Sequence, residues 1–399
     1  MVELGALSRV VVAGTALAVS GCTSQGFVGW NSAHNTSGGG GTTGSVSDES
    51  SGGAQTTASE EDDEGSTHAI TSAEEEGGST TEEVRFDVGF LDVPAACEAP
   101  VVPPCDERDS DPWHALGLDC PGSVIQGSFS GAPEQLFVLD GQLGTSGAFA
   151  PREGQRMVIL STGDASHIPE TQATLAVPPI NCNQPLACPS TYFFGPSMAA
   201  LPDPISMRRV SDKGATCADD PQLIGEGDCS NTLWDEWVQA EFTAYDYAEL
   251  RMNTVVPPGA SGLAYSFAFF SAEYPSFENH GTGYNDMYIA WLDSELWTGN
   301  ISFDEMGNPV TAKSVFLDYK DAPSGACQGT CDAPELANFA MEGHAGTKWL
   351  VTNAPAKEGE HITLVFAILD AMDGSYDSAV ILDNFEWTCS GEPPFTAPG

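Results

Sequence analysis

The chain has 399 residues, with 57 Asp and Glu against 13 Lys and Arg and a formal net charge of −44 at pH 7. A surface of that sign repels nucleic-acid phosphates and anionic headgroups and attracts cations, which excludes nucleic-acid binding. Hydrophobic residues make up 41% of the chain, enough for a large core, and the acidity suits an outward-facing protein that must stay soluble.

At the start, Arg9 precedes an uncharged apolar run, Val10 to Val19. The run is too short to span a bilayer and suits the hydrophobic region of an export signal. It ends in Val19-Ser20-Gly21-Cys22. That sequence resembles the lipobox of bacterial lipoproteins, in which small residues precede a cysteine that is acylated and becomes the new N-terminus. The resemblance implies a signal peptide over 1–21 and a lipid (palmitate) on Cys22. The membrane would be reached through that lipid anchor alone, with display at the cell surface, on the outer membrane of a cell that has two. An ordinary signal peptide would instead leave Cys22 as a bystander thiol.

The chain has 11 Cys, an odd number for an exported protein. Assigning Cys22 to lipid leaves Cys97, Cys105, Cys120, Cys182, Cys188, Cys217, Cys229, Cys327, Cys331 and Cys389. This even set can pair fully in an oxidising compartment. Cys182–Cys188 and Cys327–Cys331 are tempting local pairs, although spacing alone leaves the connectivity open. The absence of CxxC and HxxxH argues against zinc.

Residues 22–85 read as a disordered tether. A Gly/Thr-rich stretch from Ser37 to Gly44 gives way to the acidic clusters Glu60 to Glu64 and Glu74 to Glu76. With almost no aromatics, such a segment cannot offset the entropy of folding, and its charges repel one another and extend it.

From Phe86 the composition turns to Gly, Pro, aromatic and β-branched residues, and strand signals dominate. Strands are expected at Met157 to Leu160, Leu263 to Phe270, Asp286 to Leu292, Ser314 to Tyr319, Ile362 to Leu369 and Ala379 to Trp387. In the second of these, Leu263, Tyr265, Phe267 and Phe269 alternate with smaller residues, the period of a half-buried strand. Gly/Pro turns such as Val256-Pro257-Pro258-Gly259 join short strands. The fold expected is all-β: an antiparallel, jelly-roll-like β-sandwich with disulfide-braced loops over 86–392, followed by a short tail, 393–399. The cysteine-rich stretch Pro178 to Cys229 reads as a pinned excursion from that domain.

Chemistry concentrates in the last third. Glu273 follows one expected strand, Asn285 and Asp286 open the next, and Asp370, Asp373 and Asp377 surround a Gly turn. Carboxylates facing one another are costly without a cation. Hard oxygens on short loops are the ligands Ca²⁺ takes, though the spacing is not that of an EF-hand. Glu273, Asn285, Asp286, Asp370, Asp373 and Asp377 are therefore the candidate calcium ligands, with Tyr274 packed nearby. The same residues could simply cap turns.

The segments Phe270-Ser271-Ala272-Glu273-Tyr274-Pro275, Tyr284-Asn285-Asp286 and Asp370 to Val380 resemble the choice-of-anchor L domain of bacterial surface proteins. Met157 to Asp164 and Asp246 to Arg251 are similar to its earlier strands. The sequence departs from the family pattern at Ala272, where a Glu is usual, and at Tyr284, where a Phe is. The family implies an exported β-rich domain whose members differ in their mode of attachment; it implies no defined activity.

Three functions remain in view. The first is a non-enzymatic displayed module of adhesion type that binds a ligand or another surface component, with calcium stiffening its loops. The second is a carbohydrate-binding module that stacks a glycan on Trp291 and Trp297. The third, a secreted hydrolase using Glu273 and Asp377, is disfavoured: acids are abundant, and Gly259-Ala260-Ser261-Gly262 is one residue short of a nucleophile elbow.

Overall fold

The computed structural model describes residues 97–107, 109–171, 197–275, 285–322 and 331–399. The compact unit that carries the sandwich runs from Arg85 to Gly399. The signal segment, Cys22 and the tether lie outside the described residues, as do Cys182, Cys188 and Cys327. Among the described residues no helix is long and apolar enough to cross a membrane.

In chain order the strands are β1 (Ile125–Ser130), β2 (Leu136–Asp140), β3 (Arg156–Ser161), β4 (Ala244–Val255), β5 (Gly262–Ser271), β6 (Met287–Asp293) and β7 (Thr298–Asn300). There follow β8 (Val310–Thr311), β9 (Tyr319–Lys320), β10 (Ala345–Gly346), β11 (Leu350–Pro355), β12 (His361–Ala371), β13 (Ser378–Thr388) and β14 (Phe395–Pro398). Two short helices, α1 (Pro112–Ala115) and α2 (Trp234–Gln239), accompany them. A six-stranded sheet runs β1-β4-β12-β6-β7 with β8 on β6. An eight-stranded sheet runs β14-β11-β5-β13-β3-β2, with β10 on β5 and β9 on β10. The pairings between named strands are antiparallel. The expected antiparallel sandwich is thus borne out.

Between the sheets lies one continuous core that includes Leu250, Tyr265, Phe267, Tyr288, Phe366 and Leu382. The half-buried reading of β5 needs correction, because all 10 of its residues are buried. Leu263, Tyr265, Phe267 and Phe269 face the central core, while Ala268 and Phe270 join a second cluster with Leu143, Phe149, Phe339 and Met341. Phe149 meets Phe270 edge-on, with ring centroids 4.9 Å apart, a favoured aromatic geometry. A third cluster, with Leu201, Leu233 and Trp237, covers the outer face of β6 and β12. Loops therefore roof both sheets, and their central strands are apolar on both faces.

Two further expectations fail. Ser314 to Tyr319 is not a strand. The Ser314 hydroxyl accepts a bond from the Phe316 amide, the chain turns, and Val315 is left 71% exposed; only Tyr319 and Lys320 reach a sheet. The residues read as a C-terminal tail instead form β14, which pairs with β11 from Leu350↔Pro398 to Asn353↔Phe395. Proline is tolerated there because β14 is an edge strand.

Disulfides join Cys97 to Cys389, Cys105 to Cys120 and Cys217 to Cys229. Cys331 is also oxidised.

Candidate metal centre

The acidic residues singled out in sequence meet at one rim of the sandwich. Glu273 lies just beyond the end of β5, Asn285 and Asp286 lead into β6, and Asp370 is on the last turn of β12. Asp373 and Asp377 occupy the connection from β12 to β13. Strand ends place all of them, since antiparallel neighbours finish on the same edge.

Asp286 is the hub. Its Oδ2 accepts the Ser378 hydroxyl at 2.6 Å, and its Oδ1 accepts the Ala371 amide at 3.4 Å. The Ser378 amide in turn donates to Thr162 Oγ1 at 2.9 Å, tying the β13 start to the end of β3. Asp286 repels two groups of acids. On one side are Glu273 and Asp373; on the other are Asp370 and Asp377. Asp246 of β4 repels both Asp370 and Asp377, and Asp164 also acts on Asp377.

A register shift between Ile368 and Asp370, opposite β4, makes room for this. There β4 carries an extra residue, and Asp246 takes φ 48°. Bulges of this kind re-aim side chains.

Asp286 and Asp370 are each 1% exposed, Glu273 3% and Asp377 4%. Burial raises the pKa of each of them, and of Asp373, above the ordinary carboxylate range, and neighbouring carboxylates push Glu273, Asp286, Asp370 and Asp377 further up. Among the described residues, Lys313 supplies the positive charge acting on Glu273. Several of the buried oxygens make no hydrogen bond: Oε2 of Glu273, Oδ2 of Asp377 and Oδ1 of Asn285; Asp370 meets the Asp286 carboxyl and the Thr162 hydroxyl. Asn285 spends its amide on Glu236 of α2, 2.6 Å away. Such orphan acceptors are what a hard cation would satisfy, and the all-oxygen donor set suits calcium. Among the described residues, however, no three His, Cys, Asp or Glu side chains are already gathered as a ligand set. Loading a cation therefore requires side-chain rotation at the rim.

The structure thus brings the candidate acids to one rim without gathering them as a ligand set, and adds Asp246 and Asp164. Their place in sequence, one on β4 and one capping the turn after β3, gave no signal of this. Tyr274 is buried nearby, its hydroxyl 3.2 Å from Cys331 Sγ.

The two tryptophans proposed to stack a glycan do not fit that role. Trp291 is 0% exposed and packs in the cluster roofing the six-stranded sheet, and Trp297 is 3% exposed in the central core. Alternation along β6 directs Trp291 to the outer face, which the loop carrying Leu201 and α2 then covers.

At the opposite ends of β4, β6 and β12 lies an open groove of about 870 Å³. Asn253, Thr254, Asp293, Ser294, His361 and Thr363 furnish its polar lining.

The fold and rim define an antiparallel two-sheet, disulfide-braced sandwich with a buried carboxylate centre. No family model matches the chain, and neither does any curated protein or solved structure.

Proposed function

We propose that the chain is a non-enzymatic, lipid-anchored surface module of the choice-of-anchor L kind, a displayed β-sandwich that binds a ligand and is held rigid at one rim by calcium. The observation that carries the calcium reading is Asp370. Its carboxylate is 1% exposed and its charged neighbours are the acids Asp286, Asp377 and Asp246. An uncompensated buried carboxylate costs several kcal/mol, and a divalent cation removes that cost for several acids at once. Burial of the rim acids supports a structural rather than a catalytic ion, since a substrate would have no access to them. Cys22 supplies the membrane attachment, at the outer membrane or cell surface.

Calorimetric titration of the chelator-stripped protein with calcium tests the reading. Binding accompanied by a rise in Tm is expected in the wild type, with one calcium fewer bound and a smaller rise in Asp370→Asn. Absence of heat and of a Tm shift in the wild type ends the calcium reading.

A glycan is the ligand class favoured by the groove, whose amide, hydroxyl and carboxylate groups suit sugar hydroxyls. Binding on a glycan array, weakened by Asn253→Ala, is the expected result; an array with no binding removes this reading.

A further inference from the structure

A second carboxylate set lies well away from the rim. Asp383 stands on β13, about 20 Å along the strand from Asp377 at ~3.3 Å per residue. Asp106 comes from the segment that enters the domain, beside the Cys105–Cys120 bridge, and Glu153 from the turn before β3. The three residues are far apart in sequence and are not gathered as a ligand set. Asp383 and Asp106 nevertheless bind amides of the same turn, 152–156, and Glu153 on that turn repels Asp383 and is repelled by Asp106.

Their hydrogen bonding is uneven. Asp383 is satisfied: Oδ2 accepts the Arg152 amide at 2.6 Å and the Glu153 amide at 3.4 Å, and Oδ1 accepts the Asn384 amide at 2.6 Å. Asp106, 1% exposed, uses Oδ2 for the amides of Gln155 and Arg156, both at 2.7 Å. Its Oδ1 is buried without a partner, as is Oε2 of Glu153. The Asp106 carboxylate packs against Gly154, where a Cβ would stand 2.4 Å from Oδ1. Beyond Glu153, its Oε2 and the Phe385 carbonyl lie 3.4 and 3.2 Å from the position of a Cβ on Gly117.

Among the described residues, no cation serves this trio. The Arg152 guanidinium sits over the Trp349 ring at 5.7 Å, and that of Arg156 turns to Asp140 at 3.6 Å. The charges that act on Glu153 and Asp383 are those of other acids.

We propose that Asp106 and Glu153, backed by Asp383 and flanked by the Phe385 carbonyl, bind a second calcium ion, independent of the rim. The donors are hard oxygens, one of them a backbone carbonyl, and water completes the six to eight positions calcium takes. The ion clips the entering segment to β3 and β13, where the Phe385 amide already bonds the Leu116 carbonyl at 2.9 Å.

The test is calcium titration of the intact, chelator-stripped mature protein, with limited proteolysis of the segment around Asp106 as a second readout. The wild type is expected to bind one calcium more than Glu153→Gln, and calcium is expected to protect the segment at least tenfold in the wild type but not in the variant. Asp370→Asn should lose the other ion and keep this protection. Loss of an ion in Glu153→Gln with no effect of Asp370→Asn would sink the rim reading and leave this one standing. Equal stoichiometry in the wild type and Glu153→Gln overturns the proposal, as does a wild type whose segment calcium does not protect. Asp106→Asn provides a second variant if Glu153→Gln fails to fold. A variant that is more stable than the wild type in chelator, from a chain that binds no ion here, marks a shared proton in place of the metal and overturns the proposal too.

Discussion

The carboxylate of Asp377 lies against Gly163 so closely that a Cβ at Gly163 would stand 2.1 Å from Oδ2. Gly163 is needed for this space, two residues past the end of β3 at Ser161. The glycine lets an acid from the β12–β13 connection reach across the sheet edge to the rim.

Gly163→Ala should therefore displace Asp377 and cost about 1–3 kcal/mol through overpacking. Urea unfolding is expected to show the loss, and the calcium-induced rise in Tm should shrink with it. Unchanged values for both would mean that the contact is not tight.

Without calcium, stability should fall as pH rises. Burial, opposed by three backbone amides and assisted by Glu153, pushes the Asp383 carboxyl up to about 7, against about 3.9 in an unfolded chain. Between those values the folded state holds the extra proton, so the stabilisation is full below about pH 4 and is lost as pH rises through about 7. Burial and neighbouring acids shift the rim carboxylates in the same direction. In chelator, Tm is expected to drop by roughly 5 °C or more from pH 5 to pH 8, and Asp383→Asn should flatten the slope. A Tm that climbs over this range would contradict the burial of these acids.

Trp291→Ala should unfold the protein more readily, by about 3–5 kcal/mol, because it empties a roofed pocket. Denaturant titration reads that cost. Loss of glycan binding with unchanged stability is the outcome that would return Trp291 to a ligand-facing role.

Cys22→Ser should abolish incorporation of labelled palmitate and move the protein from the membrane to the soluble fraction. Retention at the membrane without label would overturn the lipid anchor.

Much of the rim was legible because its acids bracket strongly apolar strands, and antiparallel pairing brings strand ends to a shared edge. Asp246 and Asp164 were not legible as members of the rim: Asp246 lies on β4 and Asp164 caps the short turn after β3, and only tertiary pairing sets them beside Asp377. Strand β4 showed only through the resemblance over Asp246 to Arg251, because its polar face hides its period: Glu249 is buried there with Arg251 and the Tyr247 hydroxyl bound to it. The polar β1 and the proline-bearing β14 are edge strands, which need little apolar sequence to hold their place. Ser314 to Tyr319 misled in the other direction, because three apolar residues in a row say nothing about the serine that turns them. For Trp291 the period along β6 was right, but the loop that covers its face comes from the region around Leu201, far earlier in the chain.

The Cys97–Cys389 bridge spans 292 residues of sequence and links the point where the chain enters the domain to the end of β13. A pull applied between Cys97 and the C-terminus therefore first peels β14, which lies beyond the bridge, from β11 and then meets this covalent link. The rest of the sandwich, between the two cysteines, sits as a side loop off the line of tension. Under load the protein would shed one edge strand and keep its other thirteen folded.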